Sequence, residues 1–286
     1  MNWLESSRKF FRDSPWQLWT AQLTALVRSE VKRNFLKRRS IWIYLVAFAP
    51  AVIILFYVLQ ASADVRSMEE DTNIFAGIFQ LYYLHLGIFF GCLGAFTWLF
   101  RGEIVEKTLH YYFLSPLRRE LLVIGKFLAG MITTAIIFSA AVFSSFVLFY
   151  AHHGAAGRAF IFDGRGLGHL TAYLGVTLLA CLGYGSVFVA FSLIIRNPII
   201  PAIIVLAWET FHVVLPPLLQ KFSIMFYLKQ LCPVSIPADG ILALFTVVVE
   251  PVPTWLSVSG LVCLCTAILV FACFRIRLME ISYLAD

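Results

Sequence analysis

The sequence predicts an all-α polytopic membrane protein with six transmembrane helices, and three observations carry that prediction. The 286 residues are 60% hydrophobic and only 13% charged, against roughly 45–50% apolar and 25% charged in a soluble domain. Mean hydropathy is +0.85. The apolar residues gather into six long runs. This composition excludes an ordinary water-soluble enzyme, and an aromatic content of 16% excludes a disordered chain. In hydrocarbon only helices or closed barrels satisfy their backbone groups. The runs lack the alternation of barrel strands, so the spans are helical.

The runs are Ile41–Leu59, Ile74–Phe100, Leu121–Tyr150, Leu170–Ile195, Pro198–Leu219 and Trp255–Phe274. The shortest rises about 28 Å at 1.5 Å per residue, close to the roughly 30 Å hydrocarbon core. The second, third and fourth are longer and are expected to tilt or project into water. Lys and Arg set the orientation. Nine fall in residues 1–40, five in 101–126, one at Arg196 and two at Arg275 and Arg277. The opposite side holds only Arg66, Arg158, Arg165, Lys221 and Lys229. The positive-inside rule therefore puts both termini in the cytoplasm. The net charge of +6 is an orientation signal, and nucleic acid is not an expected partner.

Residues 1–40 form the cytoplasmic N-terminus, and 41–286 the six-span domain. Ser14-Pro15-Trp16-Gln17 reads as a capping box with proline at the first helical position, opening a helix over about 14–36. Trp16, Trp19, Leu23, Leu26, Val27, Val31 and Phe35 recur at helical spacing, with Thr24, Arg28, Ser29, Lys32 and Arg33 on the other face. Such an amphipathic helix lies in the cytoplasmic interface or packs on another subunit. The basic stop Lys37-Arg38-Arg39 favours the interface. Gln220–Thr254 is expected outside the membrane. Its apolar run Ala238–Val249 is too short to cross and is bracketed by Pro233, Pro237, Pro251 and Pro253. A re-entrant or interfacial helical hairpin over 220–254 fits this pattern, with a plain external loop as the alternative.

The segment Arg101–Lys126 reads RGEIVEKTLHYYFLSPLRRELLVIGK. Glu103 and Lys107 are spaced for a helical ion pair. Ser115-Pro116 ends one short helix near Leu114 and starts another at Pro116. Arg118 and Arg119 fall at the cytoplasmic surface. Lys126, one or two turns into the third span, is placed to snorkel back to the headgroups. A helix, a break and a basic restart make a rigid knob that a soluble partner can grip.

The series Glu-x-x-x-x-Thr-Leu, Leu-Ser-Pro-Leu-Arg-Arg and Gly-Lys in this segment resembles the signature of type 2 ATP-binding-cassette (ABC) exporter permeases. The amphipathic N-terminal helix, six spans and external hairpin resemble that family too. The resemblance implies that 101–120 holds a coupling helix docking on a separate nucleotide-binding subunit. Glu103, Glu106, Thr108, Leu109, Pro116, Arg118, Gly125 and Lys126 occupy the motif positions, with Lys107 and Arg119 beside them. Lys107 departs from the family, where many members have glycine, and should stiffen the loop. Trp16, Trp19, Lys37, Arg38, Arg39, Gly125 and Lys126 then form the interfacial elbow. The implied assembly is two copies, or this chain with a paralogous permease, in a bilayer with two ABC ATPase subunits. A bacterial inner (plasma) membrane is the implied location.

No engine is expected in the chain itself. Gly125-Lys126 is followed by Phe127, and position 120 is Glu, so no Walker A loop forms. The chain is read as no enzyme and as binding no cofactor, with ATP and Mg held by the partner subunit. Glu209 is the only acidic residue inside any of the six runs, and His212 is three residues on. A charge at that depth costs about 2.5–3.5 kcal/mol. Glu209, His212 and His85 are read either as a polar spot on the translocation route or as a packing contact. His152-His153 invites a zinc reading, but adjacent side chains seldom share one metal, so no metal site is expected. The six cysteines form no CxxC pair and read as small hydrophobes.

The function expected is export of a hydrophobic or amphipathic compound. Two rivals remain at this stage: a non-transporting component passing mechanical force to external proteins, and a secondary transporter driven by an ion gradient.

Overall fold

The computed structural model describes residues 15–36, 40–60, 68–106, 109–114, 117–151, 153–195, 199–234, 236 and 253–278. These residues are 91% helical, and none of them lies in a strand. Five helices among them are long and apolar enough to cross a membrane: Ser40–Leu59, Met68–Glu103, Arg119–Ala151, Gly166–Ile194 and Thr254–Arg277.

In chain order the helices are α1 (Pro15–Leu36), α2 (Ser40–Gln60), α3 (Met68–Gly77), a π-helical segment (Ile78–Gly87) and α4 (Ile88–Val105). Then follow α5 (Leu109–Leu114), α6 (Arg119–Ala151), α7 (Ala155–Phe162) and α8 (Gly166–Ile194). The chain continues through α9 (Ile199–Phe211), a 3-10 turn (His212–Val214), α10 (Pro217–Gln220), α11 (Ile224–Leu231) and α12 (Thr254–Arg277). The core sits where α4, α6 and α8 meet, with α2 and α12 packed outside and α1 laid across α6. Phe89, Phe96, Phe138, Tyr184 and Phe188 fill it.

The second apolar run becomes α3, the π segment and α4 without a break. Ile88 N–H bonds to Tyr83 O, five residues back, which is the wide-turn pattern of a π-helix. The segment is held by its polar side chains. Tyr82 donates to Val46 O at 2.8 Å, Tyr83 meets Ser145 at 2.7 Å, and Gln80 donates to Val234 O at 2.7 Å.

Two expectations are corrected. The run Pro198–Leu219 is not one continuous helix: α9 gives way to a 3-10 turn and stops before Pro216. Leu215 and Pro216 each precede a proline, and both are extended, at ψ 154° and 148°, because a following proline ring disfavours helical geometry. The helix after the loop begins at Arg119 rather than at Pro116. Within the stretch 220–254, expected to hold a helical hairpin or a plain external loop, the described residues form the short helix α11, with Ile224, Met225, Phe226 and Leu228 buried. Ser14, Lys37, Arg38, Arg39, Lys107, Thr108, Pro116 and the run 238–249 lie outside the described residues.

Candidate functional site

The loop after α4 is built against α1, and charges do the joining. Lys126 Nζ lies 2.6 Å from Glu103 Oε1 and 3.1 Å from Glu30 Oε1. Arg33 Nη2 lies 2.9 Å from Glu103 Oε1 and 3.0 Å from Glu30 Oε2. Lys126 is 0% exposed, Glu30 1% and Glu103 2%, while Arg33 reaches solvent at one edge. Two carboxylates thus face two cations, and the cluster is formally neutral. Neutrality is what permits burial, since an unpaired charge here would carry a desolvation penalty of several kcal/mol.

This placement corrects two expectations. Lys126 does not snorkel to the headgroups, because two carboxylates neutralise it inside the protein. Glu103 turns inward to Lys126 and Arg33, away from the surface on which a docking residue would sit. Lys107, its expected helical partner, lies outside the described residues.

Aromatic groups close the cluster. The Tyr112 ring centroid is 5.1 Å from Lys126 Nζ, and that of Phe100 is 5.6 Å away. Burial first, and then the carboxylates of Glu103 and Glu30, push the Tyr112 phenol up to about 12. Burial works against the charged form of Arg33. Its hydrogen bond to Glu103 and the two carboxylate charges more than offset that, so its pKa is raised.

Gly125 explains how α1 comes so close. A Cβ there would lie 2.5 Å from Leu26 Cδ2 and 3.2 Å from Leu23 Cδ1. Arg118 stacks over the Trp19 ring at 4.0 Å, a second tie between α1 and the loop. Arg119 donates to Arg277 O at 3.2 Å, and Arg277 pairs with Glu120. Trp16 and Glu106 are exposed, as is the outward side of α5 at Tyr111, 66%, and Leu114, 81%. Leu109 begins α5. A cleft of about 510 Å³ opens between α1 and α5, lined by Gln22, Ala25, Leu26, Ser29, Tyr111, Tyr112 and Leu117.

The predicted intramembrane residues meet differently from expectation. Glu209 is buried, and its carboxylate accepts Ser223 Oγ–H at 2.7 Å, Met225 N–H at 2.8 Å and Ile224 N–H at 3.0 Å. It caps the amino end of α11, where free N–H groups and the helix dipole favour an anion. His212 does not bond the Glu209 side chain; its Nδ1 donates to the Glu209 backbone carbonyl at 2.6 Å. His85, on the π segment, contacts Thr210 Oγ1 through Nε2 at 2.8 Å. Thr210 gives its own proton to Leu206 O at 2.7 Å, so His85 Nε2 is the donor between them.

His153 pairs with Asp71 Oδ2 at 2.5 Å, a partner 82 residues away. No group of three or more metal-ligating side chains exists among the described residues. Glu30 is the functional residue that sequence reasoning missed. Its signal was available: it is the only acidic residue in α1.

No curated protein and no solved structure matches the chain. A family model described as ABC-2 family transporter protein matches residues 26–211, a stretch that begins within α1 and ends with α9. It takes in the loop, the buried ion cluster and Glu209, and on that match the chain belongs to the ABC-2 transporter family, as an integral membrane protein of permease type.

Proposed function

We propose that this chain is the membrane-spanning permease subunit of an ATP-driven exporter, worked by a separate ABC ATPase. The observation that carries the reading is the buried ion cluster of Glu30, Arg33, Glu103 and Lys126. It ties α1, the end of α4 and the start of α6 into one body beneath α5. Pulling such a cluster apart would strand a charge at about 3–5 kcal/mol, so a push on α5 is passed on rather than absorbed. α6 has 33 residues and so spans about 50 Å at 1.5 Å per residue, a rod long enough to carry that motion across the bilayer.

In this account Tyr111 and Leu114 are the outward contacts of the coupling helix, and the adjacent cleft takes a side chain of the ATPase. Glu103 and Lys126 brace the loop from behind, and Arg118 holds it to Trp19. Closure of two ATP-loaded cassettes rocks α4 and α6 with α1. ATP and Mg stay on the ATPase, and both termini of this chain are cytoplasmic. The broken segment α9–α10 makes the sixth crossing, and α1 rests in the cytoplasmic interface. A second copy, or a paralogue, covers α9, whose Ile199, Ile200, Ile203 and Ile204 are all exposed in the single chain. The cargo is a hydrophobic or amphipathic compound.

The test is to co-express the chain with its ATPase and measure complex formation, ATPase stimulation and export from vesicles. Leu114→Glu and Tyr111→Ala are expected to remain inserted yet lose most ATPase binding. Complex formation equal to the unmodified chain in both variants would remove the reading.

A further inference from the structure

The start of α6 and the end of α12 are tied together by side chains that the coupling mechanism does not use. Arg277 Nε pairs with Glu120, and Arg119 donates to Arg277 O at 3.2 Å. Between the same two helices lies a cleft of about 400 Å³, lined by Ile124 of α6 and by Thr266, Leu269, Val270, Phe274 and Arg277 of α12. Ile124, Val270 and Phe274 are exposed in it. Thr266 turns its hydroxyl back to Val262 O and Cys263 O, so its hydrogen is spent within its own helix. Among the described residues that line the cleft, Arg277 alone is charged.

The cleft is therefore an apolar trough with a basic mouth. Arg118, Arg119, Arg275 and Arg277 stand on or beside these helix ends, against one carboxylate among the described residues there, Glu120. The length of the trough matches one leaflet. From Thr266 to Arg277, α12 rises about 16 Å at 1.5 Å per residue, and half of the roughly 30 Å hydrocarbon core is about 15 Å. A soluble anion would meet no polar partner below Arg277. A lipid of zero net charge would leave the mouth without a counter-charge.

We propose that this cleft seats one acyl chain of an anionic phospholipid, with the phosphate held at Arg277 and Arg119. Basic pockets between crossings favour such head groups. The assignment needs only that α6 and α12 cross the bilayer, so it stands or falls apart from the coupling reading.

The experiment places the full chain in phosphatidylcholine nanodiscs with a small, equal fraction of either phosphatidylglycerol or phosphatidylcholine bearing a diazirine on one acyl chain. After irradiation, adducts are mapped by peptide mass spectrometry. Phosphatidylglycerol is expected to label 266–277 about fivefold more than phosphatidylcholine, the scale of one arginine acting on an anionic lipid. Arg277→Gln should bring that ratio toward one, and Arg277→Lys should keep it. Arg28→Gln removes one charge from the exposed face of α1 and should leave the ratio unchanged. Val270→Trp fills the trough without touching the Arg277–Glu120 pair and should suppress the phosphatidylglycerol adducts. Equal labelling by the two lipids, or an unchanged ratio in Arg277→Gln, overturns the proposal. So does loss of the ratio in Arg277→Lys, which would mark a packing effect, or in Arg28→Gln, which would mark general attraction to a basic face. Undiminished adducts in Val270→Trp would place the lipid outside the cleft and overturn it as well.

Discussion

Lys126 and Glu103 stand 23 residues apart in the chain, yet their charged atoms meet at 2.6 Å in a pocket closed to solvent. The pair joins the start of one long helix to the end of another, and Glu30 and Arg33 bring in α1. Removing one partner leaves the others buried and unbalanced. Lys126→Met should therefore cost about 3–5 kcal/mol, read as a lowered thermal midpoint in detergent by tryptophan fluorescence. The double change Glu103→Gln, Lys126→Met leaves Arg33 paired with Glu30 and the cluster neutral, and should recover much of that loss. A double variant less stable than Lys126→Met would contradict the charge-balance account.

The approach of α1 to α6 depends on the missing side chain at Gly125. Valine there would drive Leu26 and Leu23 outward, at about 1–3 kcal/mol for overpacking. Limited proteolysis should then cut α1 faster than in the unmodified protein, while cleavage near α7, at the far end of α6, stays the same. Equal cleavage of α1 would show that contact to be dispensable.

Glu209 serves α11 as an external cap. Glu209→Ala orphans the N–H groups of Ile224 and Met225 along with the Ser223 hydroxyl. The cost is about 1–3 kcal/mol per buried group left unmet. Glu209→Gln keeps one acceptor oxygen and should fall between the two. Hydrogen exchange over 224–231 should rise in the order Glu, Gln, Ala. Unaltered exchange in the alanine variant would mean that the cap is not needed.

Tyr112 gives the cluster a pH signature. Its phenol ionises near 12 in the folded protein, and near about 10 when unfolded. The folded value is the higher one. The associated stability is complete below about pH 10 and is lost as pH rises toward 12. An ultraviolet titration differenced against Tyr112→Phe should show one tyrosine ionising late. An ordinary midpoint for that residue would mean the ring is not held beside the carboxylates.

The crossings were legible because hydropathy and length decide them, and the ends of five runs agree with the helices to within a few residues or a turn or two. The loop was legible in outline: a short helix does end at Leu114, before a break. The roles of its charged residues were not. Glu103 and Lys107 sit four apart, and local spacing suggested a surface pair, whereas the partner that neutralises Glu103 is Lys126, brought in by helix packing. Glu30 offered a single acidic letter in a basic helix, a signal that gains meaning only when α1 lies on α6. Glu209 looked like a lone membrane charge, because α11 is too short and mixed to announce a helix end above it. The interruption at Leu215 was written in Pro216-Pro217, but a continuous apolar run masked it.

The most direct measurement of the central claim is site-specific photocrosslinking. A benzophenone amino acid is placed at Leu114, on the exposed side of α5, or at Leu218, exposed on α10 as the control. Native membranes are then irradiated, and adducts of the ATPase subunit are identified. Strong ATPase adducts at Leu114, absent at Leu218, are the predicted result. ATPase adducts at Leu218 alone, or at neither position while the ATPase is present in the membrane, would contradict it.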